Sequence, residues 1–379
     1  MTTMMSLGFP RLQVTGETGM DCSSAERIAA AIERWLLESE TQILAGPESG
    51  GVAGTLDADG RPLFLYPEAA GYYLRWLVFL AESAGTSAMV EDRARLTATW
   101  ICRWLDHGGL RTRSYLVPNG HDWRIHATFA FDVGMVWRGM AAAGDLLPGH
   151  DSVLARLSGE LRRFISGSGF MACRQVAGSS QELPQRWSTQ PGPYQMKISA
   201  PLLRANVSYI PEDLRRTAAS SYRFWRERLE VDTPVDEPHP LFYALEGLLH
   251  AANSACDPGA LDLAARIYSS LLEESNIPTW LDPASKSTRS DVLAQALRMG
   301  SALLASGRLE DTDIREHLSR IACRLSAYVS PAGAVSFMAG AERPVYNTWA
   351  AMFAHQAFCY YAASLRGEPL ERRWIELLV

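Results

Sequence analysis

Two carboxylates open strongly apolar, helix-like stretches of this chain. Glu68 follows Pro67 in YPEAAGYYLRWLVFLAE, and Asp132 lies among apolar residues in TFAFDVGMVWRG. Apolar surroundings raise the pKa of a carboxyl group, so one of the pair could donate a proton near neutral pH while the other accepts one. Structural interpretations stay open, because Glu68 could simply favour its helix N-terminus and Asp132 could bond to a neighbouring helix.

The chemistry that this pair predicts is acid and base catalysis on a saccharide, above all glycosidic bond cleavage. Either carboxyl group could be the acid. Because the two lie on different helices, we expect them to be separated, and a separation of roughly 6.5–9.5 Å predicts inversion at the anomeric carbon.

Histidines offer a further proton carrier near Asp132. The segment GHDWRIH places His121, Asp122 and His126 just before the second apolar stretch. Histidine titrates near neutrality, so His126 is a third catalytic candidate and Asp122 a candidate substrate ligand. The His-x-x-x-x-His spacing has no third ligand in reach, and the sequence predicts neither a metal nor a cofactor.

A mixture of aromatic rings and polar side chains indicates a sugar-binding surface. In RWSTQPGPYQMKIS, rings that could stack on sugar C–H faces alternate with donors for hydroxyl groups. A half-buried aromatic seam is the alternative. The candidate substrate-binding residues, here and at the other helix starts, are Tyr72, Asp122, Trp187, Tyr194, Gln195, Lys197, His239, Tyr243, Arg289, Asp291, Tyr346, Asn347 and Trp349.

Four of these candidates carry specific expectations. Lys197 is one of only two lysines, the other being Lys286, and could pair with a ligand carboxylate or phosphate. Asp291 is interpreted first as a helix N-cap. His239, Tyr243 and Glu246 recur at helical spacing, which places them on one helix face.

The elements that position these residues form a sixfold pattern. Six apolar helices are predicted to start near residues 67, 127, 194, 240, 290 and 346, each preceded by an irregular loop, with amphipathic helices between them. Weak repetition at this spacing predicts an all-α (α/α)6 toroid of inner and outer helices, with short strands or hairpins in the loops on one face. The loops that enter the inner helices then converge on one cavity.

Two finer expectations follow from this arrangement. We expect residues 1–22 to form an N-terminal surface segment and residues 23–379 a single toroid domain whose first helix is capped by Ser23 or Ser24. Gly139 and Gly247 hold matching places in WRGM and LEGL, which predicts close helix packing.

Composition narrows the function classes. The net charge of −6 and the absence of a basic stripe argue against a nucleic-acid partner. No signal peptide and no membrane-spanning run are apparent, so we expect a cytoplasmic protein without a membrane span; its oligomeric state stays open. The six scattered cysteines are interpreted as small core residues.

The helical pattern, with loop-to-helix phrases such as YPEAAGYY, FDVGMVWRG, PGPYQMK and YNTWAAMFAHQA, resembles the six-hairpin glycosidase-like superfamily. That superfamily comprises (α/α)6 toroids and includes glycoside hydrolases, unsaturated-uronide hydrolases, sugar 2-epimerases and the catalytic domains of some polysaccharide lyases. The resemblance implies acidic residues at inner-helix entrances, which Glu68 and Asp132 match in position.

Other functions remain as alternatives. The same toroid also serves protein prenyltransferases and class II terpene cyclases, and the 36 aromatic residues could line a cyclase cavity, although no convincing DxDD acid is present. A biosynthetic cyclase is therefore the second hypothesis, beside a sugar epimerase or lyase. A non-catalytic ligand-binding toroid is the third. The expected partner is a small molecule or an oligosaccharide.

Overall fold

A computed structural model describes residues 19–85, 87–106, 111–117, 122–147, 149–203, 208–232, 238–272, 288–309 and 312–379. His121, Lys286 and most of the N-terminal segment lie outside these ranges. Among the described residues, no helix combines the length and the apolar character that a membrane span requires.

Six inner helices form the wall around the central axis. They are α2 (Pro67–Ala84), α4 (Ala130–Ala142), α6 (Met196–Leu203), α8 (Pro238–Asn253), α10 (Ser290–Ala305) and α12 (Thr348–Leu365). Each begins within three residues of its predicted start. Nearly all their side chains are buried, which explains why these segments are apolar on every side.

Six outer helices pack around the inner ones, each with one solvent-exposed face. They are α1 (Cys22–Glu38), α3 (Ala88–Asp106), α5 (Asp151–Arg162), α7 (Glu212–Val231), α9 (Ala260–Leu272) and α11 (Thr312–Ser326). A short helix, α13 (Arg372–Glu376), follows the last inner helix. The cap of α1 was predicted wrongly: Asp21 accepts the hydrogen bond from Ser24 N at 2.6 Å, because Ser23 and Ser24 already lie inside the helix.

The inner helices close into a ring. Each contacts the next in chain order, and α12 contacts α2. Glycine makes the tightest crossings possible, because a Cβ atom on Gly139 would lie 2.4 Å from Gly71 O, and one on Gly247 would lie 2.6 Å from the Met196 carbonyl carbon. This confirms the predicted role of Gly139 and Gly247 and establishes the all-α toroid.

Short strands decorate the loops, as expected. Strands β1 (Ala53–Leu56), β2 (Pro62–Leu65), β3 (Ser114–Tyr115) and β8 (Tyr346–Asn347) form a sheet in the order β3-β2-β1-β8. Two antiparallel pairs complete the set: β4 (Ala127–Phe129) with β7 (Cys173–Gln175), and β5 (Ile165–Ser166) with β6 (Gly169–Phe170). Thr55 pairs with Asn347, which joins the loops entering α2 and α12.

The start of the described chain is not wholly a surface segment. Met20 is buried, its N–H donates to Ser319 Oγ at 3.1 Å, and its carbonyl accepts from Tyr361 Oη at 3.3 Å. Backbone hydrogen bonds to α11 and α12, together with the burial of Met20, override the surface placement that the lack of periodicity predicted at this residue.

Candidate active site

A cavity of about 490 Å³ opens where the loops enter the inner helices. Nine of the predicted site residues line it: Glu68, Asp132, Trp187, Tyr194, His239, Tyr243, Arg289, Asn347 and Trp349. They come from all six inner helices or the loops just before them. The ring therefore brings together residues that are far apart in sequence.

Glu68 lies in the first turn of α2 and is almost fully buried. Burial raises the pKa of its carboxyl group, while hydrogen bonds from Tyr66 and Tyr72 and the positive charge of Lys197 oppose that rise. Tyr66 Oη donates directly to Glu68 Oε2. Burial and the neighbouring carboxylates raise the pKa of Tyr66 well above its usual value, so this phenol keeps its proton and donates it. The carboxylate form of Glu68 is thus supported by donors.

Asp132 lies in the first turn of α4, beside Glu68, and its carboxylate form is less well stabilised by its surroundings. Burial, followed by the charge of Glu68, raises the pKa of Asp132 well above the usual value, and the Thr112 hydroxyl only partly opposes this. Asp132 Oδ2 is buried and accepts no hydrogen bond from any described residue. These surroundings favour the protonated form of Asp132 beside an ionised Glu68.

The two carboxyl groups are close enough to hydrogen-bond to each other. Two adjacent carboxylates in an apolar site hold one proton between them, because like charges at contact distance are costly. The expected wide separation is therefore wrong. The physical reason is that α2 and α4 are neighbours whose backbones cross at Gly71 and Gly139.

His239 faces the cavity from the opposite side of the ring, since α8 is three helices away from α2. Burial, followed by the charge of Arg289, lowers the pKa of His239 to about 4, so the ring is neutral at pH 7. Its Nδ1 lies 2.7 Å from Gln295 Oε1, an acceptor, so Nδ1 carries the hydrogen. Nε2 bonds to no described residue and is left as an acceptor for a ligand.

Asp291 acts through its neighbours. It is fully buried, Arg289 Nε donates to its Oδ1 at 3.0 Å, and Trp349 Nε1 donates to its Oδ2 at 3.2 Å. Burial alone would raise the pKa of Asp291, but the charge of Arg289 holds it below the usual value. The N-cap interpretation was wrong, because Arg289 occupies the cap position and Asp291 lies within the helix. Asp291 therefore orients two residues that line the cavity without lining it itself.

A second anchored arginine comes from the β3 region. Arg113 Nη1 lies 3.0 Å from Asp122 Oδ2, and Tyr115 Oη donates to the same oxygen at 2.7 Å. The Arg113 guanidinium also stacks over Phe64, 4.3 Å from the ring centroid. Asp122 binds Arg124 as well, with Nη1 at 3.1 Å from Oδ1. Like Asp291, Asp122 positions cavity residues and does not line the cavity.

Lys197 lies below the cavity floor. Its Nζ is 2.5 Å from Glu246 Oε2, donates to Val379 O at 3.0 Å, and lies 4.4 Å from the centroid of the Tyr243 ring. Arg298 donates to the other oxygen of Glu246. Burial lowers the pKa of Lys197 well below its usual value. Lys197 is therefore not among the residues that line the cavity.

The remaining predicted residues lie outside the lining for local reasons. His126 ends a short 3-10 helix before β4, and its carbonyl accepts from Val176 N at 2.9 Å. Gln195 is buried and donates to Phe170 O at 3.2 Å. Tyr72 is buried one turn below Glu68, and Tyr346 packs edge-on against Trp35 with ring centroids 6.2 Å apart. His126, a predicted catalytic residue, is therefore not among the residues that line the cavity.

Several lining residues escaped the sequence interpretation, among them Tyr66, Thr112, Arg113, Arg124 and Arg186. Tyr66 and Arg186 adjoin residues already singled out, so their position was a usable signal. Arg113 gave none, because its role depends on pairing between β2 and β3. Within the described ranges, no cluster of three or more His, Cys, Asp or Glu residues could hold a metal ion.

Similar solved structures share the toroid across nearly the whole chain. A D-mannose isomerase superposes with a TM-score of 0.67 at 11% identity, covering 90% of this chain and 98% of that one. An unsaturated glucuronyl hydrolase specific for heparin gives 0.61 at 12% identity, covering 92% and 98%. Cellobiose 2-epimerase from Bacillus thermoamylovorans B4167 gives 0.61 at 13% identity, covering 88% and 99%.

These likenesses, which also include a GH76 mannanase, confirm the six-hairpin glycosidase-like fold. No protein-family model matches the chain. No curated protein matches it either.

Proposed function

We propose that this protein is a carbohydrate-active enzyme that cleaves a glycosidic bond by acid and base catalysis, with Asp132 as the proton donor. The observation that carries the proposal is the buried Glu68–Asp132 pair, two adjacent carboxyl groups whose pKa values burial raises, at the wall of a cavity rich in aromatic and hydrogen-bonding groups. The carbohydrate enzymes among the structural neighbours support the substrate class.

The unequal surroundings of the pair assign the roles. Asp132 protonates the leaving-group oxygen as the bond from that oxygen to the anomeric carbon breaks, and water forms the new bond to that carbon. Glu68, kept ionised by Tyr66, takes up the proton that the water releases. Because the two carboxyl groups are within hydrogen-bonding reach of each other, Glu68 can deprotonate only a water on the same side of the sugar as Asp132, so this arrangement does not support the inversion that a wide separation predicts.

Aromatic rings and oriented hydrogen-bond donors bind the substrate. Trp187, Tyr194 and Trp349 offer ring faces or edges to sugar C–H groups. Asn347 presents a buried Nδ2 that has no partner among the described residues, so a ligand hydroxyl can satisfy it. Arg113 and Arg289, held by carboxylates, suit a sugar that carries a carboxylate or another anionic group. This density of polar groups disfavours the terpene-cyclase hypothesis, which needs apolar walls.

Epimerisation is the second candidate, and His239 is the observation that favours it. A neutral imidazole with a free Nε2 could remove a proton from the carbon beside a sugar carbonyl. Solved neighbours include both a hydrolase and a 2-epimerase, so the fold is compatible with either reaction.

The test is to incubate the purified protein with neutral and acidic disaccharides and follow the products by ¹H NMR. Cleavage gives new reducing-end anomeric signals from two shorter sugars, whereas epimerisation gives one isomer of unchanged mass. On the substrate found, Asp132→Asn should lower kcat by at least about 10²-fold while KM changes little. Normal turnover by Asp132→Asn would remove Asp132 from the mechanism.

A further inference from the structure

A second and larger concavity lies outside the candidate active site. This outer groove encloses about 960 Å³ between α3, α5 and the strands of the β4–β7 pair. Strand alternation separates it from the active-site cavity, because Thr128 lines the groove while the next residue, Phe129, lines the cavity. Likewise, Ser114 lines the groove and the preceding residue, Arg113, lines the cavity. The two concavities are therefore on opposite faces of the same short strands.

The groove concentrates positive charge in a chain whose net charge is −6. Four arginines line it, against two glutamates. Glu160 is already paired with Arg163 at 2.9 Å, and Glu48 accepts the Trp100 indole N–H at 3.0 Å. The acidic groups of the groove are thus engaged with groups of the groove itself.

Two of the arginines have no acidic partner in the part of the chain that the structure describes. Arg111 is exposed and forms no ion pair with any described carboxylate. Arg174 is also without such an ion pair, and its Nη1 donates only to the Arg163 carbonyl at 3.0 Å. Unpaired guanidinium groups present planar, forked donors that match carboxylate and sulfate oxygens.

The floor of the groove is aromatic. Trp100 and Trp104 lie one helical turn apart on α3 with nearly parallel rings, 12° between planes and 6.4 Å between centroids. Both rings are more than nine-tenths buried, and Trp104 Nε1 has no hydrogen-bond partner among the described residues. The volume is far larger than a single inorganic anion needs. An extended ligand that combines anionic groups with C–H faces fits these features together.

We propose that the outer groove binds a stretch of an acidic saccharide, with Arg111 and Arg174 holding its carboxylate or sulfate groups. The saccharide part of this inference rests on the proposed function, whereas the anionic part rests on the charge of the groove alone. A saccharide bound in the outer groove does not contact the Glu68–Asp132 pair, so the groove is a binding site separate from the candidate active site.

The test uses isothermal titration of the full-length protein with two acidic probes, a heparin hexasaccharide and a hexagalacturonate, and with neutral cellohexaose. At least one acidic probe should bind, and the double variant Arg111→Gln/Arg174→Gln should weaken its binding at least tenfold. The matched control is Arg216→Gln/Arg223→Gln, which removes the same charge from exposed positions on α7. That control should bind the acidic probe like the wild type.

Several outcomes would overturn the inference. These are no binding of either acidic probe, equal weakening by both double variants, or equal binding of cellohexaose. Sodium sulfate that competes as well as the hexasaccharide, at equal sulfate concentration, would mark a small-anion site instead. Asp132→Asn should leave groove binding intact, so a protein that binds at the groove but turns over no saccharide would refute the proposed function and not this site.

Discussion

At the scale of single residues, surroundings decide what two chemically similar carboxyl groups can do. Glu68 receives a hydrogen bond from Tyr66, whereas Asp132 Oδ2 receives none from the described residues. Burial raises the pKa of both, and the charge of Glu68 raises that of Asp132 further. The difference gives one acid and one base without any difference in side-chain chemistry.

The raised pKa of Asp132 predicts a pH-dependent gain in stability for Asp132→Asn. The folded protein binds this proton more tightly than the unfolded chain, so its contribution to stability is complete below about pH 4 and is lost as the pH rises towards the folded-state pKa. Asparagine does not titrate, so the variant escapes this loss, which is about 1.4 kcal/mol for each pH unit by which the pKa is raised.

Urea unfolding at pH 5 and pH 8 measures this effect. The advantage of Asp132→Asn should be larger at pH 8. A variant that is less stable than the wild type at pH 8, with an unchanged difference at pH 5, would show that Asp132 is ionised in the folded protein.

Removing the donor to Glu68 should alter the pH profile of the reaction. Tyr66→Phe deletes a hydrogen bond that favours the carboxylate, so the pKa of Glu68 should rise and the acid limb of kcat/KM should move to higher pH. Activity on the acid side should fall several-fold. Tyr115→Phe, which removes a donor to Asp122 instead, is the control and should leave that limb in place. An acid limb unmoved by Tyr66→Phe would mean that Glu68 is not the base.

At the scale of elements, helix crossings place the catalytic pair. The carboxyl groups touch because α2 and α4 approach until the Gly71 backbone lies against Gly139. Close-packed backbones leave no room for a methyl group, so the distance between these helices depends on both glycines.

The prediction at this scale concerns Gly139→Ala. A Cβ atom 2.4 Å from Gly71 O forces the helices apart, which should destabilise the fold by about 1–3 kcal/mol and reduce activity by separating Glu68 from Asp132. Gly159→Ala on α5 is the matched control, because its Cβ meets no atom within 4 Å and alanine favours a helix. Thermal unfolding compares the two. Equal melting temperatures for both variants would contradict the close-crossing explanation.

At the scale of the whole molecule, a buried charge network ties the ring together below the cavity. Glu246 of α8 binds Lys197 of α6 and Arg298 of α10, and Arg298 also donates to Gln356 of α12 at 2.9 Å. Four inner helices therefore depend on one network. Removing one partner from such a network leaves the other charges buried and uncompensated.

Glu246→Gln should accordingly destabilise the protein by about 3–5 kcal/mol. Glu230→Gln is the control, because Glu230 forms an exposed ion pair with Arg226 at 3.0 Å that contributes no more than about 1 kcal/mol. Denaturant unfolding measures both. A loss from Glu246→Gln no larger than that from Glu230→Gln would mean that the network does not hold the ring.

Some features of the site could be predicted from the sequence and others could not, for physical reasons. Inner helices are apolar on every side, so their starts and the ionisable residues within them, Glu68 and Asp132, could be recognised from sequence. The depth of a residue along the ring axis could not be predicted, because helical periodicity shows on which face of a helix a residue lies and not how far along the ring axis it lies. Lys197 and Tyr72 therefore lie below the cavity although they share the inner helices. Long-range pairing also has no local signal, and Arg113 was missed for that reason.

Infrared difference spectroscopy tests the shared proton most directly, because it needs no substrate. A protonated carboxyl group absorbs at a different frequency from carboxylates, so we expect its C=O band at pH 7 in the wild type. The band should vanish in Asp132→Asn and persist in Asp122→Asn, since the pKa of Asp122 is lowered and that group is already ionised. A wild-type spectrum without a protonated carboxyl band at pH 7, or a band unchanged in Asp132→Asn, would contradict the proton donor at the centre of the proposed function.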